Sequence, residues 1–141
     1  MLRKLALALL ALVTVVTISV PQEAMAGGGG EYRVRARMRT GTAFEGKSDY
    51  RERLRGTTLV QTFNVEVNGA QPGEMFEIHI NGVLFGTMIT NDLGSAELEF
   101  RTATVDDNPH DEEPPLPTDF PRINDGDVIT VGALSGTYRL R

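Results

Sequence analysis

Hydrophobic and polar residues alternate along much of the chain after residue 30. In the segment 32–39, four apolar residues alternate with four arginines. A period of two places the apolar set on one face of a strand and the arginines on the other. The segments 63–67 and 76–80 repeat this alternation with Phe, Val and Ile on the apolar side. Each segment is therefore predicted to be a β-strand with one buried face.

Turn signals separate these predicted strands. Asn81-Gly82 is the strongest of them, because a type I′ hairpin turn requires positive φ at both central residues. It joins the segment 76–80 to a returning apolar segment at 83–90. Further turns are predicted at 91–94 and at Asp125-Gly126. No window after residue 26 shows the spacing of an amphipathic helix, so the fold class is all-β.

Six to eight short strands with turns every ten or so residues are typical of a single immunoglobulin-like or Greek-key β-sandwich. A small open β-barrel is the alternative architecture. The segments 63–75 and 76–88 also resemble each other, with Phe, Asn, Gly and Met at matching positions. This repeat predicts two neighbouring strands of a meander.

Residues 1–26 have the layout of a signal peptide. Arg3 and Lys4 form a basic start, an apolar stretch covers 5–20, and Pro21 ends it. Ala24 and Ala26 are small residues at the two positions that a signal peptidase reads. An uncleaved anchor is the alternative, although a spanning helix needs about 20 apolar residues. Cleavage after Ala26 predicts a secreted or periplasmic bacterial protein without a membrane anchor.

The predicted mature chain starts with a flexible glycine leader at 27–30, and the β-sandwich domain occupies 31–141. The chain contains no cysteine, so it has no disulfide, thiolate metal site or cysteine nucleophile. The domain is therefore expected to depend on packing and hydrogen bonds alone.

Charge is distributed unevenly along the domain. The segment 31–55 has eight basic and four acidic residues, whereas the segment 92–127 has two basic and eleven acidic ones. One interpretation is that basic and acidic strands lie side by side within the fold. The other is a basic face that binds an anionic surface or polymer. The arginines of that candidate face are Arg33, Arg35, Arg37, Arg39, Arg51, Arg53 and Arg55.

The segment 104–121 is acidic and rich in proline, which predicts a long loop because proline cannot donate to a β-ladder. The loop is expected to cross from one sheet to the other. Its carboxylates are hard oxygen ligands of the kind that calcium requires. The candidate calcium ligands are Asp106, Asp107, Asp111, Glu112 and Glu113. Their spacing does not match an EF-hand, and a solvated acidic loop is the alternative.

Catalytic motifs are not found in the sequence. The chain has two histidines, His79 and His110, and no serine stands in a Gly-x-Ser-x-Gly elbow. The glycines stand in turns before strands, which is not the arrangement of a phosphate-binding loop. An enzyme is therefore not expected, and no cofactor is implied beyond the candidate calcium. The negative net charge of −5 also disfavours nucleic-acid binding.

A glycine-led strand at 46–50, the alternating strands and the histidine-centred strand at 76–80 resemble the CHRD domain. The resemblance covers 32–100 and implies an exported, immunoglobulin-like β domain. CHRD domains have two histidines around one apolar residue, whereas only His79 stands here, flanked by Ile78 and Ile80. The chain also resembles small uncharacterised exported bacterial proteins with the same arrangement of strands and turns.

The sequence thus favours an exported, non-catalytic β-sandwich that acts as a structural or interaction module. Its expected partners are an extracellular polymer or another exported protein. A calcium- or anionic-polymer-binding module is the first alternative, and a small hydrolase is the second.

The calcium hypothesis predicts a shift in thermal stability. If the carboxylates between Asp106 and Glu113 bind the ion, the melting temperature should rise in millimolar calcium and fall again after chelation, because a ligand of the native state stabilises it. Differential scanning calorimetry measures this shift. Coincident curves in calcium and in chelator would contradict the hypothesis.

Overall fold

The computed structural model describes residues 30–102 and 114–141, and these two ranges contain strands and turns but no helix. The predicted signal peptide at 1–26 lies outside the described residues. The strands are β1 (Tyr32–Arg39), β2 (Glu45–Arg55), β3 (Thr58–Asn68), β4 (Met75–Ile80), β5 (Val83–Ile89), β6 (Ala96–Arg101), β7 (Val128–Val131), β8 (Leu134–Thr137) and β9 (Arg139–Leu140). Within these ranges the structure has no helix of the length and hydropathy needed to span a bilayer.

The strands form two antiparallel sheets. One has five strands in the order β6-β3-β2-β1-β9, and the other has four in the order β5-β4-β7-β8. Strand β3 lies beside β6, and β4 lies beside β7, although two strands separate each pair along the chain. Such pairings are typical of Greek-key sandwiches. The prediction of an all-β sandwich is therefore confirmed.

The two copies of the sequence repeat lie in opposite sheets, so the prediction of a meander was wrong. Phe63 is in β3 of the five-stranded sheet, and Phe76 is in β4 of the four-stranded sheet. The chain crosses between the sheets at the turn that joins these strands. Both rings are buried, because each strand turns its apolar side toward the same core.

The predicted hairpin at Asn81-Gly82 is confirmed by the backbone. Asn81 has φ of 51° and Gly82 has φ of 80°, as a type I′ turn requires. The returning strand β5 contains a bulge, since Ile78 is opposite Gly86 while His79 is opposite Leu84. The bulge adds one residue, Phe85, whose ring packs edge-on against Phe120 at 5.2 Å.

The connection between β6 and β7 joins the two sheets, as the sequence predicted for the acidic loop. Its described part, residues 114–127, contributes side chains to the core. Leu116, Phe120 and Ile123 are buried among the strands. Leu116 also donates its backbone N–H to the carbonyl of Arg101 at 2.8 Å, which fixes the connection to the end of β6. Three apolar side chains therefore anchor this half of the connection to the core, while most of its other residues are exposed.

The core also includes a corner where the chain changes sheets. Strand β8 belongs to the four-stranded sheet and β9 to the five-stranded sheet, with Tyr138 between them. The Tyr138 ring is fully buried, and its hydroxyl lies 2.6 Å from Ser48 Oγ. Ser48 donates its own proton to the carbonyl of Asn64 at 2.8 Å, so Tyr138 is the donor to Ser48. Two buried hydroxyl groups are thereby satisfied.

Strand β8 lies directly against β1 at this corner. A Cβ on Gly136 would stand 2.7 Å from the carbonyl oxygen of Arg37 and 2.8 Å from Met38 Cγ. Because no space remains for a side chain at position 136, the close approach of β8 to β1 requires glycine there.

This contact predicts that Gly136→Ala destabilises the fold by about 1–3 kcal/mol, the usual cost of overpacking. The matched control is Gly86→Ala in β5, where the added Cβ would meet only Leu98 Cδ2 at 3.7 Å. Urea denaturation monitored by circular dichroism measures both free energies of unfolding. Equal effects at the two glycines would contradict the packing interpretation.

Candidate functional site

The candidate site is the outer surface of the five-stranded sheet, which we call the charged face. Because side chains alternate along each strand, the cross-strand register brings the outward residues of four strands together. All seven arginines of the candidate basic face lie on it. The charged face comprises Arg33, Arg35, Arg37, Arg39, Glu45, Lys47, Asp49, Arg51, Arg53, Arg55, Thr62, Asn64, Glu66, Asn68, Glu97, Glu99 and Arg101.

Asp49 is the centre of the ion pairs on this face. Its carboxylate accepts hydrogen bonds from Arg33 Nη2 at 2.8 Å and from Arg35 Nε at 2.8 Å. Arg35 lies directly opposite Asp49 in the β1–β2 ladder, and Arg33 is the diagonal neighbour. The Arg33 Nε also donates to the other carboxylate oxygen at 2.8 Å, so Arg33 binds in a forked arrangement. One acidic residue thus holds two arginines in fixed orientations.

The pKa of Asp49 reflects this environment. Partial burial alone would raise the pKa, but the hydrogen bonds and positive charges of Arg33 and Arg35 outweigh burial. The pKa of Asp49 therefore lies below its ordinary value, and the carboxylate stays ionised in mildly acidic solution.

A second ion pair connects β2 to β3. Lys47 Nζ lies 2.7 Å from Glu66 Oε2, and Asn68 Nδ2 donates to Glu66 Oε1 at 3.0 Å. The hydrogen bond from Lys47, followed by that from Asn68, lowers the pKa of Glu66. Farther across the sheet, Asn64 Nδ2 donates to Glu97 Oε1 at 2.7 Å. The acidic side of the face is therefore also held in place by neighbouring side chains.

The remaining arginines have weaker partners or none within the described chain. Arg51 Nε lies 3.3 Å from Glu31, and Arg39 Nε lies 3.7 Å from Glu45. Three of the seven arginines form no ion pair within residues 30–102 and 114–141. They are Arg37, Arg53 and Arg55. These three guanidinium groups are the ones most available to an external anion.

Strand β3 lies between the basic strands β1 and β2 and the acidic strand β6, so the described strands of the basic and acidic segments do not lie side by side. The outward positions of β1 and β2 have eight basic and two acidic residues, whereas those of β3 and β6 have one basic and three acidic residues. Strand β9 adds Arg139 directly opposite Arg35. The charged face is accordingly polarised, positive along β1 and β2 and negative along β6.

Two shallow grooves lie along this face. The larger has a volume of about 350 Å³ and runs from the arginines of β1 to Glu97 and Glu99 of β6. The smaller, about 170 Å³, lies beside Arg37 and Arg39. Lys47 and Glu66 line both grooves, so the grooves are neighbours. Neither is lined by an aromatic side chain, and a ligand would be held by charge and hydrogen bonds.

A buried polar network at one end of the sandwich was not predicted from the sequence. Glu52 is 3% exposed, and it accepts a hydrogen bond from the Tyr50 hydroxyl at 2.6 Å. Gln61 Nε2 donates to the same hydroxyl at 2.7 Å, and Arg122 Nε lies 3.1 Å from Glu52. Burial, followed by the hydrogen bond to Glu52, raises the pKa of Tyr50 well above its ordinary value. All of these groups are paired, which indicates a structural network.

The Glu52 of this network lies on the inner side of β2, unlike the arginines around it. Its partner Arg122 also lies over the Tyr32 ring, 4.3 Å from its centroid. The sequence offered one signal for this buried pair. Glu52 is charged, although it stands at an inward position of an alternating strand.

The five candidate calcium ligands, Asp106, Asp107, Asp111, Glu112 and Glu113, lie outside the described residues. Within 30–102 and 114–141, no group of three metal-ligating side chains is close enough to hold an ion. The calcium hypothesis therefore stays a prediction.

His79 lies on the outer surface of the four-stranded sheet, away from the charged face. Its Nε2 is 3.5 Å from Glu77 Oε2, and in the described part of the chain it has no hydrogen bond to a serine. Ser48, the buried serine, is instead bonded to Asn64 and Tyr138. The described residues thus contain no serine–histidine pair of the kind that a hydrolase uses.

No protein-family model matches the chain, and no curated protein matches it significantly. The resemblance to CHRD domains stays a prediction.

The lowered pKa of Asp49 predicts a specific loss of stability in acid. The unfolded state binds a proton at Asp49 more readily than the folded state does, so stability is present above the ordinary pKa of 3.8 and falls as the pH drops through the folded pKa. Asp49→Asn should lower the free energy of unfolding by about 1 kcal/mol at neutral pH. Below about pH 4, this free energy should fall less steeply with decreasing pH in the variant than in the wild type.

Urea denaturation at a series of pH values measures this slope. Asp92→Asn, in the exposed turn before β6, is the matched control and should keep the acid dependence of the wild type. An unchanged slope in Asp49→Asn would show that the ion pairs of Asp49 do not stabilise the fold.

Proposed function

We propose that this chain is an exported, non-catalytic interaction module whose charged face binds an anionic polymer outside the cytoplasm. The observation that carries the proposal is the excess of positive charge along β1 and β2. Eight basic side chains point outward there against two acidic ones, and Arg37, Arg53 and Arg55 form no ion pair in the described chain.

The spacing of these groups supports a linear ligand. Outward residues on one strand recur at intervals of roughly 6.8 Å, twice the rise per residue. A polymer with regularly spaced negative charges that lies along β1 would contact Arg35, Arg37 and Arg39 in turn. Arg139 widens the positive band at one edge. Repeated weak contacts of this kind add up to useful affinity.

The ion pairs within the face support this assignment in a second way. Asp49 holds Arg33 and Arg35 in fixed orientations, so these side chains lose little conformational entropy when a ligand binds. The acidic side, with Glu97 and Glu99, would repel an anionic chain and keep it over β1 and β2. The polarised surface thereby favours one position for the ligand.

The proposal predicts that removing the three unpaired arginines weakens retention on an anionic resin. The test protein carries Arg37→Ser, Arg53→Ser and Arg55→Ser, which leave the pairs of Asp49 intact. It should elute at a clearly lower salt concentration than the wild type, because fewer charges contact the resin. Ion-exchange chromatography on an immobilised sulfated polysaccharide measures the elution point.

The matched control places the same change of net charge on the other sheet, as Thr87→Asp, Ser135→Asp and Thr137→Asp. These residues are exposed on the four-stranded sheet. The control should elute close to the wild type. Co-elution of the two triple variants would show that net charge, and not the charged face, controls retention, and would overturn the proposal.

A further inference from the structure

Arg37 stands directly opposite Lys47 in the ladder between β1 and β2. Directly opposed residues of an antiparallel pair have Cβ atoms about 4.5–5.5 Å apart, so two positive charges in this arrangement destabilise the sheet. Both side chains belong to the charged face and line its smaller groove. Strand pairing does not require a cation at either position, so the fold alone does not account for this pair.

The other facing pairs of like charge in the described part of the five-stranded sheet are offset by neighbouring groups. These pairs are Arg33–Arg51, Arg35–Arg139 and Glu66–Glu97. Each of their members forms an ion pair or a hydrogen bond with another side chain. In contrast, Arg37 forms no ion pair within residues 30–102 and 114–141. Among the described facing pairs, Arg37 is therefore the member whose charge is not offset.

The carboxylates diagonal to Arg37 are already engaged. Asp49 and Glu45 stand two residues on either side of Lys47 in β2. Asp49 accepts hydrogen bonds from two other arginines, and Glu45 lies 3.7 Å from Arg39. The guanidinium group of Arg37 is therefore available to an anion from outside the chain.

The donors at this position suit an anion with more than two oxygens. Arg37 has five N–H donors in one plane, and Lys47 has three, one of which serves Glu66 Oε2 at 2.7 Å. A carboxylate has two oxygens, and one guanidinium fork engages both. A sulfate or phosphate ester has three terminal oxygens, so it can bind the fork of Arg37 and the ammonium group of Lys47 through separate oxygens. The groove beside them, about 170 Å³, has room for one such group.

We propose that Arg37 and Lys47 form a subsite for one sulfate or phosphate ester group of an anionic polymer. The subsite rests on the proposed function, and it names the chemical class of the charged groups that the polymer carries. The bound oxyanion lies between the two cations and converts a repulsive pair into two attractive contacts. Because Lys47 stays bonded to Glu66, its ammonium group is held beside the groove before the ligand arrives.

Binding selectivity tests the subsite. The probes for isothermal titration calorimetry are dextran sulfate, polyphosphate and a carboxymethyl dextran of matched charge density. The wild type should bind dextran sulfate, polyphosphate or both about tenfold more tightly than carboxymethyl dextran, as expected for one additional charge-assisted contact. Arg37→Gln should abolish this preference. The two dextrans share a backbone, so their comparison reports the anionic group, and polyphosphate separates phosphate from sulfate as its source.

Arg55→Gln is the matched control. It removes the same charge from the same face, at a position where the opposite residue is the uncharged Thr58. This control should bind every probe more weakly than the wild type and should keep the preference for sulfate or phosphate.

The stability of the free protein gives a second readout. Arg37→Gln should have a higher urea midpoint than the wild type at low ionic strength, because the repulsion from Lys47 is removed. This gain should disappear at about 1 M salt, where the screening length is about 3 Å. Arg55→Gln should show no gain that depends on salt.

A wild type that binds none of the probes would overturn the proposed function, and the subsite with it. Equal binding of all three probes, a preference retained in Arg37→Gln, or a preference lost in Arg55→Gln would overturn the subsite alone. A urea midpoint that does not rise in Arg37→Gln, or a rise that persists in high salt, would refute the repulsion between Arg37 and Lys47 on which the subsite depends.

Discussion

The cost of burying an arginine determines the register of the first two strands, and the rest of the fold follows from that register. In β1 and β2 the outward positions carry charge, and Val34 and Tyr50 face the core directly opposite each other. A shift by one residue would turn every arginine inward and every core residue outward. Such an arrangement would leave several desolvated charges without partners. The alternation therefore specifies one pairing strongly, and the same pairing creates the charged face.

Strand positions could be predicted from the sequence because alternation and turn chemistry are local. The assignment of strands to sheets could not, since it depends on contacts between residues far apart in the chain. Phe63 and Phe76 illustrate the difference, because they begin similar sequence segments and yet lie in opposite sheets. The burial of Leu116 and Phe120 likewise could not be predicted from local sequence patterns. Acidic and proline residues dominate their segment, yet both side chains fill space between the sheets.

The candidate site was predictable to a similar degree. The alternation of arginines indicates a common face, but the importance of Asp49 appears only when the β1–β2 register places it beside Arg33 and Arg35. The pairing of Lys47 with Glu66 likewise depends on the β2–β3 register. Glu52 belongs to the opposite face of the same strand, and its buried pair with Arg122 joins segments 70 positions apart in the sequence. Cross-strand register, which composition does not encode, decides each of these contacts.

The corner at Tyr138 has a consequence for the order of folding. Strand β9, near the end of the chain, completes the sheet beside β1, so the first strand gains its second neighbour only when the last strand arrives. Contacts between such distant segments form slowly, because loop closure must precede them. We therefore expect the pairing of β1 with β9 to form late in folding, after β1 has paired with β2.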